Sequence, residues 1–219
     1  MIRVVVFDFD GTLADTNAIK EGCLQRTVAT LPNGPAVLMM ARQAGGDRHK
    51  VFAEVARQLA RNCDSRAIAA QTRALVDVYS RCCTKGIVAA AERRGARQTL
   101  AALAQRGMRL WVLSATPDRY LREVLRRRGL MHRLRGSFGS SVSKERGLLK
   151  IMKRERISRN ALLLVGDGPD DHRAAGAIGV KFVAITAENR IAERSRFAMR
   201  DLRPLVALID RLNGRRLAR

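Results

Sequence analysis

Two carboxylates stand at the end of the first apolar run of the chain. Val4, Val5, Val6 and Phe7 lead into Asp8, Phe9 and Asp10, and these into Gly11, Thr12 and Leu13. Residues two apart on an extended backbone project the same way, so Asp8 and Asp10 would share one space, repel, and call for a cation. A second acidic group follows another apolar run, where Ala161 to Val165 precede Gly166, Asp167, Gly168, Pro169, Asp170 and Asp171. A few hard carboxylate oxygens suit Mg2+, which keeps several waters and accepts a substrate oxygen as a further ligand. The alternating ligands of an EF-hand calcium loop are absent.

Between the two acidic groups lie a hydroxyl and an ammonium that could serve a phosphate. Ser114 follows the run Arg109 to Leu113, and with the backbone N–H groups after it, beginning at Ala115, it could donate to a phosphate oxygen. Lys144 opens a helical pattern, and an ammonium beside a carboxylate and an incoming dianion offsets part of their repulsion. Plainer readings exist for each: Asp8, Asp10, Asp167 and Asp171 as turn or capping carboxylates, and Ser114 as a helix cap. Lys150 and Lys153 compete with Lys144, but either would leave too little chain for a full helix and strand before Asp167. Asp170 competes with Asp171.

The elements that must carry these residues alternate between two periodicities. Apolar runs at Val4–Phe7, Arg109–Leu113, Ala161–Val165 and Val180–Ile185, with a short strand near Gly136, read as parallel strands covered on both faces. Helical patterns between them run from about Gly95 to Arg106, from Pro117 to Arg128, from Lys144 onward, and from Leu202 to Leu212. Five strands alternating with helices predict an α/β fold, a doubly wound parallel (Rossmann-like) sheet with right-handed crossovers. In such sheets ligands sit beyond the carboxyl ends of the strands, where Asp8, Ser114 and Asp167 stand. The stretch after Asp15 carries no strand signal. Helices from Asp15 or Thr16 to Leu31, Ala36 to Gln43, His49 to Asn62 and Ser65 to Thr84 predict an inserted helical unit over 16–85, with 1–15 and 86–219 as the core and Gly86 as the return point.

The motif Asp8-Phe9-Asp10-Gly11-Thr12-Leu13 resembles the first signature of the haloacid-dehalogenase-like (HAD) hydrolases. Ser114, Lys144 and Gly166-Asp167 with Asp171 resemble the second, third and fourth, in the right order and at strand or helix ends. The resemblance covers Ile2 to about Thr186 and implies a HAD core with the small α-helical cap of the phosphoglycolate-phosphatase-like members. It implies Asp8 as nucleophile, Asp10 as general acid/base, and Mg2+ held by Asp8, Asp167 and the Asp10 carbonyl, with Asp171 behind them orienting water or Lys144. Thr12, Ser114, Ala115 and Lys144 would hold the phosphate. In capped relatives the loop corresponding to Ala44-Gly45-Gly46-Asp47-Arg48-His49-Lys50 reads the substrate, which nominates Arg48 for specificity beside the plainer reading of a helix start capped by Asp47 with Arg48 and Lys50 solvated. An aspartate at the Asp10 position weighs against dehalogenase and phosphonatase activity, because protonating an alkoxide needs an acid there. Thr12 resembles the phosphatase form of the motif, where mutases commonly carry valine. A Mg2+-dependent phosphatase acting on a small phosphomonoester is therefore expected. A sugar-phosphate mutase of the β-phosphoglucomutase type and a basic nucleic-acid-binding protein on a degenerate HAD core are the alternatives.

Composition sets the remaining bounds. The 219 residues are 47% apolar, enough for a substantial core, and no run approaches a membrane span or a secretory leader, so a cytoplasmic protein is expected. Cys23, Cys63, Cys82 and Cys83 lack CxxC spacing and lie far from the histidines, which predicts reduced, mostly buried thiols without zinc. The net charge is +22. It is spread out: residues 16–86 hold 11 basic and 5 acidic side chains, the rest 31 and 15. Such a surface favours a small anionic substrate by steering, with a polyanion surface as the second reading. Oligomeric state and the identity of the phosphomonoester leave no mark in the sequence.

Overall fold

The computed structural model describes residues 1–43, 48–60, 64–185 and 195–214. Within it the chain forms two compact units, Met1–Thr16 with Ala90–Arg219, and Asn17–Ala89.

The first unit is built on a parallel sheet. Its strands are β1 (Val4–Phe7), β2 (Arg109–Leu113), β3 (Gly136–Phe138), β4 (Leu162–Gly166), β5 (Lys181–Ile185) and β6 (Ala198–Met199), in the order β3-β2-β1-β4-β5-β6. β1 lies at the centre because Val4 to Phe7 carry no polar side chain, and an interior parallel strand has no wet face to give one. Its register sets the site: Phe7 pairs with Val112 on one side and Val165 on the other, so the three strands end at nearly one level. The side chains just beyond them, at Asp8, Ser114 and Asp167, therefore emerge along one edge. The two-residue β6 is a sixth strand beyond the five expected, too short to carry a readable alternation.

Helices α5 (Ala96–Gln105), α6 (Asp118–Arg127), α7 (Lys144–Glu155), α8 (Pro169–Ile178) and α9 (Leu205–Leu212) cover the sheet. The two ways out from β1 place α7 and α8 in mutual contact, and likewise α5 and α9. Leu148 and Ile151 of α7 and Ala174 and Ala175 of α8 pack on Val4, Trp111, Leu162 and Leu164. α9 starts at Leu205, later than expected, because Pro204 occupies its N-cap.

The second unit is helical throughout its described residues: α1 (Asn17–Val28), α2 (Gly34–Gln43), α3 (Arg48–Leu59) and α4 (Ser65–Ala89). α4 runs past Gly86, where the sequence suggested a break. A Cβ there would stand 2.6 Å from Ile19 Cγ2, so this glycine lets α1 and α4 approach closely and does not end the helix. The expectation of unpaired thiols is corrected here. α1 and α4 lie side by side, and Cys23 and Cys82 form a disulfide with Cα atoms 5.8 Å apart. Their sequence separation of 59 hides the pairing, since local spacing says nothing about which helix faces meet. Cys83 is buried and outside any disulfide, and Cys63 lies outside the described residues. Closing a loop of that length stabilises a fold by roughly 2–4 kcal/mol. Cys23→Ser should lower the urea midpoint of the whole protein accordingly, and reduction of the wild type should give the same shift.

Candidate active site

Four separated segments meet at the carboxyl edge of the sheet. The backbone N–H of Asp8 donates to the carbonyl of Val165 at 2.8 Å, extending the β1–β4 ladder by one step and fixing the start of the loop. Gly11 then turns with φ 77°, and a Cβ at that position would stand 1.9 Å from Asp167 Oδ2. Only glycine lets the loop pass so near that carboxylate. Thr12, fully buried, donates from Oγ1 to Asp167 Oδ1 at 3.1 Å, so the first motif also orients the fourth.

Lys144 stands at the first turn of α7 behind Ser143, whose hydroxyl caps the helix by accepting from the Arg146 N–H. Its Nζ lies 3.2 Å from Asp8 Oδ1 and 2.5 Å from Asp171 Oδ1. The competing lysines, Lys150 and Lys153, are exposed farther along α7, which leaves Lys144 as the one at the carboxylates. Asp171 accepts from the Gly168 N–H at 3.2 Å with its other oxygen. Asp170 is exposed and pairs with Arg173, whereas Asp171 is the one that Lys144 meets.

The charges in this cluster do not balance. Burial pushes the Asp8 carboxyl well above the usual range; Lys144 opposes that shift, and Asp171, Asp167 and Asp10 add to it. Burial raises Asp171 as well, against the pull of Lys144. Burial also works against the Lys144 ammonium, yet Asp8 and Asp171 outweigh it and hold its pKa above the ordinary lysine value. Asp8, Asp167 and Asp171 offer carboxylate oxygens within 4.8 Å of one another. Three carboxylates facing one ammonium leave an excess of negative charge on hard oxygen donors, which is the donor set a small divalent cation fits.

Asp10 is held separately, and by more groups than its motif reveals. Thr16 donates to Oδ1 at 2.8 Å, while Thr116 at 3.0 Å and Ser114 at 3.3 Å donate to Oδ2. Ser114 in turn accepts from the Thr116 N–H at 3.1 Å. The Ser114 hydroxyl is thus turned to Asp10, whereas Ala115 beside it is exposed. Thr16 and Thr116 were absent from the residues nominated by sequence, because a threonine before a helix reads as its cap. Thr16, which with Asp15 was a candidate cap for α1, spends its hydroxyl on Asp10. Across the edge, Asp118 of α6 accepts from Gly139 N at 2.9 Å and Ser141 N at 3.2 Å, tying the loop after Ser114 to the one before Lys144. Burial would raise the Asp118 carboxyl, but the hydrogen bonds from Ser141 and Gly139 prevail and lower it. A depressed carboxyl stabilises the fold above the ordinary carboxylate pKa of about 4 and loses that contribution as the pH falls through its folded value.

Arg48 opens α3 in the helical unit, with its guanidinium 5.5 Å from the ring centre of Tyr79. The glycine-containing loop before it, 44–47, lies outside the described residues.

The family model of the haloacid dehalogenase-like hydrolases matches residues 2–179 of this sequence. The chain belongs to that family. Among curated relatives, this hydrolase is 29% identical over 194 residues to a phosphoglycolate phosphatase of Pseudomonas putida, a match that spans 84% of this chain and 69% of the relative. Its fold superposes with a TM-score of 0.74 on a protein from Haemophilus somnus described as a phosphoglycolate phosphatase, at 18% identity over 95% of this chain and 98% of the other. It superposes with a TM-score of 0.70 on a protein from Thermotoga maritima described as a β-phosphoglucomutase, at 15% identity over 96% and 99%. The hydrolase thus combines a family-wide α/β fold with an assembled cluster of Asp8, Lys144, Asp167 and Asp171. No helix among the described residues is long and apolar enough to cross a membrane.

Proposed function

We propose that this HAD-like hydrolase is a Mg2+-dependent phosphatase, resembling phosphoglycolate phosphatase, that cleaves a small phosphomonoester through an aspartyl-phosphate on Asp8. The chain is on this reading a phosphoric monoester hydrolase. The observation that carries it is the meeting of Asp8, Lys144, Asp167 and Asp171 at one sheet edge with Asp10 clamped beside them.

An Asp8 oxygen attacks phosphorus, forming the carboxyl–phosphorus bond as the ester oxygen leaves. Asp10 gives its proton to that oxygen, and afterwards takes one from the water whose attack on phosphorus frees Asp8. Lys144 holds Asp8 in place and offsets charge on the transferring group, joined by the Ser114 region and the Ala115 N–H. Asp8 and Asp167, with the Asp10 carbonyl, would hold Mg2+, which when bound supplies positive charge to the non-bridging phosphate oxygens. Asp171 is occupied by Lys144 and Gly168, which suits support of those ligands from behind. Thr12, in the phosphatase form of the first motif, favours hydrolysis over mutase chemistry.

The hydroxyls on Asp10 keep its carboxyl pointed and resist its rotation. Thr116→Val keeps the shape and removes one donor, and should lower kcat about tenfold, the value of one charge-assisted hydrogen bond, with KM nearly unchanged. Thr116→Ser should restore most of the rate; equal rates in all three would show that the clamp is idle. Arg48 is assigned to substrate recognition within the same proposal, so Arg48→Ala should raise KM more than it lowers kcat.

The test of the activity is phosphate release over a panel of phosphorylated metabolites, phosphoglycolate and sugar phosphates included, with and without Mg2+. Release that needs both Mg2+ and Asp8 supports the reading. Isomer formation without release would replace it with a mutase, and inactivity on every monoester would remove it.

A further inference from the structure

The catalytic chemistry uses one end of α7 and leaves the rest of that helix unexplained. Its inner face is apolar apart from one acid: Gly147, Leu148, Ile151 and Glu155 are buried. Its outer face consists of Arg146, Leu149, Lys150, Lys153 and Arg154, all exposed, followed by exposed Arg156. Exposed Arg135, at the entrance to the edge strand β3, adjoins them, since its Nε lies 3.9 Å from Glu155 Oε1 and Arg154 lies over the Trp111 ring. The acids nearest this face are Glu155, which also pairs with Arg135, and Glu145. Glu155 accepts from Trp111 Nε1 and Arg109 Nη1, each at 2.8 Å, and Glu145 is half-buried in the first turn. Arg146, Lys150, Lys153, Arg154 and Arg156 form no ion pair with any described residue.

Other helices carry paired cations beside unpaired ones. Arg81 pairs with Asp77 on α4, Arg57 with Glu54 on α3, and Arg127 with Glu123 on α6. On α7 the cations recur every three or four residues along one side, a spacing of about 5–6 Å per step that crowds like charges in the absence of a counter-anion.

We infer that the exposed face of α7, with Arg135 and Arg156, binds the phosphate backbone of double-stranded nucleic acid without reading its sequence. A duplex carries one phosphate per about 1.7 Å of axis, dense enough to meet a row of cations on a single helix. Arginine forks suit phosphate oxygens, and lysines add point charge. A single-strand site would need exposed aromatic rings for base stacking, and the large exposed apolar residues among those described are Met1, Met39, Met40, Val78, Met131 and Leu149. A membrane surface site would need an apolar strip beside the basic one, and α7 offers Leu149 alone. The net charge of +22 adds long-range attraction to the local site. The inference is independent of the phosphatase reading, because Lys144 is the one residue of α7 used there.

The test is fluorescence anisotropy of the full chain with a labelled duplex of about 20 bp in KCl from about 50 to 200 mM. Some five phosphate contacts predict a slope of log affinity on log salt near −4.5. Lys150→Gln/Lys153→Gln/Arg154→Gln should weaken binding at least tenfold and make the slope shallower by about 2.7. Arg66→Gln/Arg73→Gln/Lys85→Gln, which removes the same charge from exposed positions on α4, should stay within about threefold of wild type. A second variant of the same face, Arg146→Gln/Arg156→Asn, guards against a folding defect in the first; asparagine tolerates the φ of 50° at Arg156. Equal losses in the α4 and α7 variants would overturn the site in favour of diffuse charge. So would no binding at the lowest salt, tighter binding to the single strand, or preference for phosphatidylserine vesicles at equal phosphate.

Discussion

Asp8→Asn should release phosphate at least about 10⁴-fold more slowly than the wild type, with folding intact. The magnitude follows from removing a nucleophile in a reaction whose other groups act only through it, as with other catalytic units in which loss of one member costs nearly the whole. The amide keeps the shape of the side chain, and the backbone N–H of residue 8 still reaches the Val165 carbonyl. It also relieves the crowding of buried negative charge that pushes the Asp8 carboxyl up, so the thermal midpoint should hold or rise while activity vanishes. Steady-state phosphate release and a thermal melt on the same preparation check both halves. A residual rate within a hundredfold of wild type would assign the attack to another group, such as water.

Lys144→Met should cost nearly as much by a different route. The ammonium lies between Asp8 and Asp171, 14% exposed, and its removal leaves two buried carboxylates facing each other. Breaking a buried pair costs about 3–5 kcal/mol, which on the reacting carboxylate corresponds to a fall in kcat of about 10²–10⁴. The sign of the accompanying pH effect is fixed by the same charges. Lys144 is what pulls the Asp8 pKa down against burial, so without it Asp8 takes up a proton more readily. The remaining activity should then shift to higher pH, where the carboxylate is ionised. Lys150→Met, on the same helix but exposed, should leave kcat unchanged. A fall of less than tenfold in Lys144→Met, or no displacement of its pH–rate profile, would place the lysine outside the reaction.

How far the sequence revealed this site depends on how local each signal is. The strand ends were legible because β1, β2 and β4 are apolar runs buried on both faces, and each stops at a polar residue. Their common register then brings Asp8, Ser114 and Asp167 to one edge. The choice of Lys144 over Lys150 and Lys153 was legible as chain length, since a helix and a strand must fit before Asp167. The clamp on Asp10 was not. Thr16 and Thr116 stand where helix-capping threonines are common, and only the three-dimensional loop closure turns their hydroxyls to a carboxylate. The Cys23–Cys82 bridge was hidden for the same reason: it joins the faces of two helices that nothing in the local pattern pairs. Gly86 misled because a glycine that permits close helix packing and one that ends a helix look alike in sequence. The basic face of α7 was visible only as net charge until the helix placed its cations on one side.

The most direct test of the account is chemical capture of the covalent intermediate. The enzyme with Mg2+ and a phosphomonoester that it turns over is quenched in acid within the first turnover and treated with borohydride, which reduces an acyl phosphate to the alcohol. The peptide around residue 8 is then read by mass spectrometry. The account predicts homoserine at position 8, unmodified aspartate at 10, 167 and 171, and no modification in Asp8→Asn. Phosphate release at the full rate with aspartate unaltered at position 8, or homoserine at any other position, would contradict it.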